Sequence, residues 1–144
     1  MRWSPVVLVL VLCGCTGGET DLRADEACSV TEYDEATVNP PVYFRQLECD
    51  GQVGPGRATL IMEYCPYHPT LRISSNVTMG ILTVHATQEG GEDVTATYPE
   101  HDGVLEHDFW DLDDNRRTTL LVDVDERGSR PFIGSFLVSL HCRA

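Results

Sequence analysis

The sequence predicts an all-β fold, a small antiparallel β-sandwich of about seven or eight strands stapled by disulfides. Three observations lead there. Apolar residues recur with period two through the body of the chain, and no stretch sustains a helical stripe. The alternating segments are short and separated by Gly- and Pro-rich turns. Finally, of six cysteines, two lie at positions 13 and 15 and four in the region expected to fold. Four cysteines in an exported domain are most simply two disulfides. With 144 residues there is room for one domain of the usual roughly 100–200 residues.

Residues 28–33 are the expected first strand. In 42–49, Val42, Phe44 and Gln46 alternate with Tyr43, Arg45 and Leu47, and in 57–64 Ala58, Leu60, Met62 and Tyr64 share one side. Between these two segments, 50–56 holds three glycines and a proline, which reads as the turn of a hairpin. Leu71 and Ile73 mark a short strand after the Pro66 and Pro69 interruption. Leu82, Val84 and Ala86 form one face of 80–88, and the turn Glu89-Gly90-Gly91-Glu92 leads into Val94, Ala96 and Tyr98 as a second hairpin. The strongest pair is 118–124 with 132–141. Leu120, Val122 and Val124 form one inward row, Phe132, Phe136, Val138 and Leu140 most of another, and 125–130 is the polar turn. Short helical turns are expected only at 21–27 and 108–117.

The N-terminus reads as an address. Arg2 supplies a positive charge, and 6–12 is an unbroken apolar run. This is the order of a secretory signal, far short of the roughly 20 apolar residues of a membrane span. The run ends in Leu12-Cys13-Gly14-Cys15, which resembles the lipobox of bacterial lipoproteins. The resemblance covers only these first residues. It implies cleavage before Cys15, with diacylglycerol on that cysteine and often an amide-linked acyl chain as well. Two or more chains give stable attachment at about 0.8 kcal/mol per buried methylene. An aspartate after the cysteine retains many such proteins in the inner membrane; Thr16 stands there instead, so the outer membrane is the expected site. The organisation is therefore a signal peptide over 1–14, the lipidated cysteine and a polar tether over 15–26, and the sandwich over 27–144.

Cys28, Cys49, Cys65 and Cys142 are the disulfide candidates, and three pairings are open. Cys28 and Cys142 sit near the two ends of the folded region. The preferred pairing, Cys28 with Cys49 and Cys65 with Cys142, would clamp the terminal strands.

Charge narrows function. The formal net charge of −13 becomes −14 once Arg2 leaves with the signal, a field that repels phosphate backbones, so nucleic acid is not an expected partner. All ten basic residues are arginine. Schiff-base chemistry, lysine nucleophiles and the phosphate-gripping lysine of a P-loop are therefore absent. There is likewise no Gly-x-Ser-x-Gly elbow, no His-Glu-x-x-His and no Gly-rich phosphate loop, and no enzyme is expected.

One segment looks chemical. Glu100-His101-Asp102 is followed by Glu106-His107-Asp108, then Asp111, Asp113, Asp114 and Asn115. His101 and His107 would share a face if extended, and a turn at Asp102-Gly103 would instead fold the triplets together. Carboxylates suit calcium, and two imidazoles with a carboxylate suit zinc. An EF-hand is excluded, because Arg116 stands where its loop needs glycine and Val122 where it needs glutamate. The bland reading is a solvated acidic loop that protects a sheet edge. Within it, Phe109-Trp110 reads as a core plug, with Trp110 as the alternative stacking platform for a sugar. Cys65-Pro66-Tyr67-His68 reads as a half-cystine at a strand end rather than a redox or copper motif. His85 and His141 lie opposite the apolar rows of their strands.

The expected function is that of a lipid-anchored, non-enzymatic interaction or assembly module of the cell envelope, with the membrane and an envelope protein as partners. The alternative is a ligand-binding sandwich taking a divalent cation or a carbohydrate at the 100–115 loop.

Overall fold

A computed structural model of the chain describes residues 20–35, 37–39, 41–91, 93–110 and 112–142. Cys13, Cys15 and Asp111 lie outside the described residues. Ten strands are formed in chain order: β1 (Thr20–Asp21), β2 (Cys28–Glu35), β3 (Val42–Val53), β4 (Gly56–Met62), β5 (Thr70–Met79), β6 (Ile81–Gln88), β7 (Asp93–Tyr98), β8 (Leu105–Phe109), β9 (Thr118–Asp125) and β10 (Phe132–Cys142). They make two five-stranded sheets, in the orders β1-β4-β9-β6-β7 and β2-β3-β10-β5-β8. All pairs are antiparallel except β1 with β4. The all-β sandwich is thus the fold, with more strands than expected and a longer fifth one.

The alternation read in the sequence places the core. Leu60, Met62, Leu82, Val84, Leu120, Val122 and Val124 of the first sheet are fully buried. They face Leu47, Leu71, Ile73, Phe132, Val138 and Leu140 of the second, also buried. Tyr64 does not belong to this row: β4 ends at Met62, and Tyr64 is 51% exposed.

Two of the three expected hairpins do not form. Only β6 and β7 pair, joined by the Glu89–Gly91 turn, in which Gly91 N donates to the Gln88 carbonyl. β3 pairs with β2 and β10, while β4 pairs with β1 and β9, so residues 54–55 carry the chain from one sheet to the other. β9 and β10 are divided in the same way, across a turn closed by the Arg127 and Arg130 backbones. Alternation reports which face of a strand is buried, not which neighbour it hydrogen-bonds. From β3 to β10 every connection except β6–β7 crosses between sheets. The order β3-β10-β5-β8 over β4-β9-β6-β7 is that of a jelly roll, with β1 and β2 added at one side.

Of the two expected helical turns, the first forms and the second does not. In 21–27 it is a 3-10 turn, Leu22–Ala24, whose N-cap Asp21 accepts from Arg23 N. Leu22 is fully buried, so from Thr20 onward the expected tether is docked on the sandwich. In 108–117, β8 continues to Phe109 and the described residues that follow form a loop.

Both disulfides of the preferred pairing are present. Cys28–Cys49 joins directly opposed residues of β2 and β3, and Cys65–Cys142 ties the β4–β5 connection to β10. Such bonds fit an exported protein. Among the described residues no helix is long and apolar enough to cross a membrane.

An ion-pair network closes the β2 side. Arg45 points inward from β3 and is only 7% exposed. Its guanidinium donates to both carboxylate oxygens of Asp34 at 2.8 and 3.1 Å and to the Tyr33, Phe44 and Ile61 carbonyls. Glu32 lies 3.4 Å away.

Candidate functional site

The residues of the acidic segment are dispersed by the fold. After the turn at Gly103 (φ 74°), β8 pairs with the outer edge of β5, so Glu106 and Asp108 face one way and His107 the other. Glu100 forms ion pairs with Arg127 and Arg130 at 3.2 and 3.4 Å. His101 turns onto β5, where its Nε2 accepts from Val77 N at 3.4 Å. Asp102 is exposed in the turn. His107 Nδ1 is 2.7 Å from the Tyr98 hydroxyl, with the rings stacked. Asp108 is gripped by Arg72 at 2.9 and 3.3 Å, and that hydrogen bond holds its carboxyl below the ordinary aspartate value. Asp113 contributes its backbone, donating N–H to Gln88 Oε1 and accepting from Gln88 Nε2. Among the described residues no three His, Cys, Asp or Glu side chains converge as a metal site.

The loop after β8 is pinned by groups far away in sequence. Gln88, buried at the end of β6, bridges Asp113 and the Thr118 hydroxyl. His68 Nδ1 donates to the Leu112 carbonyl at 2.6 Å, and Asn115 N donates to the Cys65 carbonyl. The core plug is Leu112, fully buried, whereas Trp110 is 61% exposed. Of the expected Phe109-Trp110 plug, Phe109 does pack, partly buried, against the core; solvent receives Trp110 instead because the chain leaves the strand there.

A serine–histidine contact also emerges. Ser75 Oγ lies 3.3 Å from His101 Nε2. Ser75 is 1% exposed, so substrate has no access to it. Since Nε2 accepts from Val77, the neutral ring carries its proton on Nδ1, which has no hydrogen-bond partner among the described residues. The third group that orients the base in a triad is missing there.

The surface that does gather binding chemistry is the outer face of the second sheet. Register sets it in rows. Tyr33 opposes Phe44, Phe44 opposes His141, and His141 opposes Thr70. Tyr33 stacks on Phe44 at 5.2 Å and His141 meets Phe44 edge-on at 5.2 Å. Thr31, Gln46, Ser139, Arg72 and Asp108 form the next row. Ser29, Glu48, Leu137, Ser74 and Glu106 follow, then Asp50, Ser135 and Asn76. An open groove of about 630 Å³ runs over β3, β10 and β5, bounded by Glu106 of β8 and by Val104 just before that strand. Sequence reasoning missed it, since Tyr33, Phe44 and His141 come from three separate segments; the only signal was the polar and aromatic half of each alternating strand.

No protein-family model matches the chain, and no curated protein matches it. Solved structures with a similar backbone exist. One is TmCBM61 in complex with β-1,4-galactotriose, with TM-score 0.39 and 9% identity over 90% of this chain and 97% of that one. The Schizosaccharomyces pombe Cnp3 cupin domain has TM-score 0.35 and 10% identity, over 86% and 68%. An exo-β-1,3-galactanase from Phanerochaete chrysosporium with β-1,3-galactotriose has TM-score 0.37 and 12% identity, over 84% of this chain but 28% of its own.

Proposed function

We propose that the chain is a non-enzymatic recognition module, exported and held on the outer membrane through lipid on Cys15, that presents the outer face of the β2-β3-β10-β5-β8 sheet to an envelope ligand. The observation that carries this reading is the groove on that face. Its aromatic end, amides, hydroxyls and carboxylates are what a binding site needs, and most of them make no contribution to the core. The first sheet's outer face is plainer: threonines dominate it, at positions 59, 83, 87, 95, 97 and 119, and its own depression, of about 530 Å³, lies at the β1–β4 edge with no aromatic residue in its lining. A recognition role fits the chemistry elsewhere too. Ser75 is unreachable, and Asp108 is held ionised by Arg72, so it is unsuited to general acid catalysis.

Intact mass of the purified protein tests the anchor, with an acylated Cys15 expected and Cys15→Ser released from membranes. For recognition, envelope cross-linking by wild type and by Leu137→Arg, which fills the groove centre, should differ in what is captured. Identical capture by the two proteins would sink this reading.

A further inference from the structure

We propose that the groove binds a polysaccharide strand of neutral or amine-bearing sugars; this rests on the outer face being the recognition surface and names its ligand class.

The lining separates the candidates. Gln46, Asn76, Ser74, Ser135 and Ser139 both donate and accept, while Glu48, Asp50 and Glu106 accept only. A saccharide hydroxyl is donor and acceptor at once and pairs with either kind. An apolar peptide side chain or an acyl chain would leave these groups desolvated and unpaired, at about 1–3 kcal/mol each. Two apolar elements complete the set: Leu137 in the centre and the Phe44 ring at the end, surfaces for the C–H face of a pyranose. Tyr33 and His141 brace Phe44 from both sides and hold its ring in place.

Charge then selects among sugars. The groove's arginine, Arg72, is neutralised by Asp108. Glu48, Asp50 and Glu106 therefore leave a negative field, within a chain of formal net charge −13. Uronates, sulfated sugars and phosphorylated polymers are repelled, and a free amine is attracted. Size agrees. About 630 Å³ lies within the roughly 300–1,000 Å³ of small-ligand sites, and an open groove admits a chain where a closed pocket admits only its end.

The test is affinity electrophoresis and calorimetry of the detergent-solubilised full chain against soluble galactan, glucan, mannan, chitosan oligosaccharides and polygalacturonate. Binding to at least one neutral or amino polymer, and none to polygalacturonate, is expected. Phe44→Ala should weaken it about tenfold, and Leu137→Arg should abolish it. Thr83→Ala, on the opposite sheet, should leave it unchanged. Melting midpoints of the variants separate lost binding from lost folding, and Gln46→Ala, which removes one amide without touching the core, gives a second reading if Phe44→Ala unfolds. The proposal is overturned if no polymer binds, if only the acidic polymer binds, or if folded Phe44→Ala and Gln46→Ala both bind as wild type does. Should no polymer bind while Leu137→Arg still changes envelope capture, the ligand class is wrong and the recognition face stands; should capture be unchanged as well, both fail.

Discussion

The Tyr98 hydroxyl and His107 Nδ1 share a 2.7 Å hydrogen bond, and their rings stack at 5.5 Å and 29°. β7 and β8 are the edge strands of opposite sheets, so this one pair laces the sandwich shut along a side where no backbone pairing is possible. The phenol is protonated at neutral pH, as an ordinary tyrosine is, and burial raises its pKa further. Tyr98→Phe should cost about 1 kcal/mol, the worth of one hydrogen bond. A thermal melt should show a midpoint lowered by a few degrees, and an unchanged midpoint would mean the lace is idle.

The sandwich itself was legible in the sequence, and the reason is local. Each strand writes its burial into period-two alternation, as Leu120, Val122 and Val124 show, and the Glu89–Gly91 turn names its hairpin. What alternation omits is the partner. β3 with β4 and β9 with β10 read as hairpins, yet each pair is divided between the sheets, because a Gly/Pro-rich or polar turn can reverse the chain within a sheet or carry it across the core. The presence of two disulfides was legible, but position left three pairings open, and only the fold, which sets Cys28 opposite Cys49 and brings Cys65 to Cys142, decides for the preferred one. The groove was not, since its rows join residues such as Phe44 and His141 that only long-range register brings side by side.

Arg45 is a charge inside the fold whose partners are two carboxylates and three carbonyls. Arg45→Met removes the donor but leaves Asp34, which is half exposed, to be rehydrated. The loss should therefore fall at or below the roughly 3–5 kcal/mol of a broken buried pair. Asp34→Asn, which keeps a hydrogen-bond acceptor and leaves Glu32 nearby, should cost less. Urea denaturation of the two variants checks the order, and the reverse order would contradict this account of the network.

The two disulfides should differ in worth. Cys65–Cys142 spans 77 residues of sequence and Cys28–Cys49 spans 21. Loop-closure entropy assigns them roughly 4.5 and 3.3 kcal/mol. Paired Cys→Ala replacements measured by denaturant titration should reproduce that ranking.

Acid should weaken the β5–β8 edge. The Arg72 hydrogen bond, followed by the charge of Arg72, lowers the Asp108 pKa in the folded chain. A depressed carboxyl pKa stabilises the fold above the unfolded value of about 3.9, and this contribution is lost as pH falls through the folded pKa. Melting midpoints of wild type and Asp108→Asn should thus differ at neutral pH and converge below about pH 4. Because the pair is solvent-exposed, 1 M salt should narrow the neutral-pH difference as well.

Leu112→Ala should cost about 2–5 kcal/mol as a buried leucine truncation, whereas Trp110→Ala, at an exposed ring, should leave the melting midpoint within about a degree or two of wild type. Calorimetric melts of both variants distinguish the plug from the surface ring.

β10 lies between β3 and β5 and pairs with both along most of its length, yet it follows them by more than fifty residues of chain. A growing polypeptide would therefore hold two gaping strand edges until β10 emerged, and high contact order of this kind slows folding. Synthesis stalled before residue 132 would leave a half-sheet whose open flanks invite aggregation, so the order of the strands makes the arrival of β10 the event that commits the sandwich to fold.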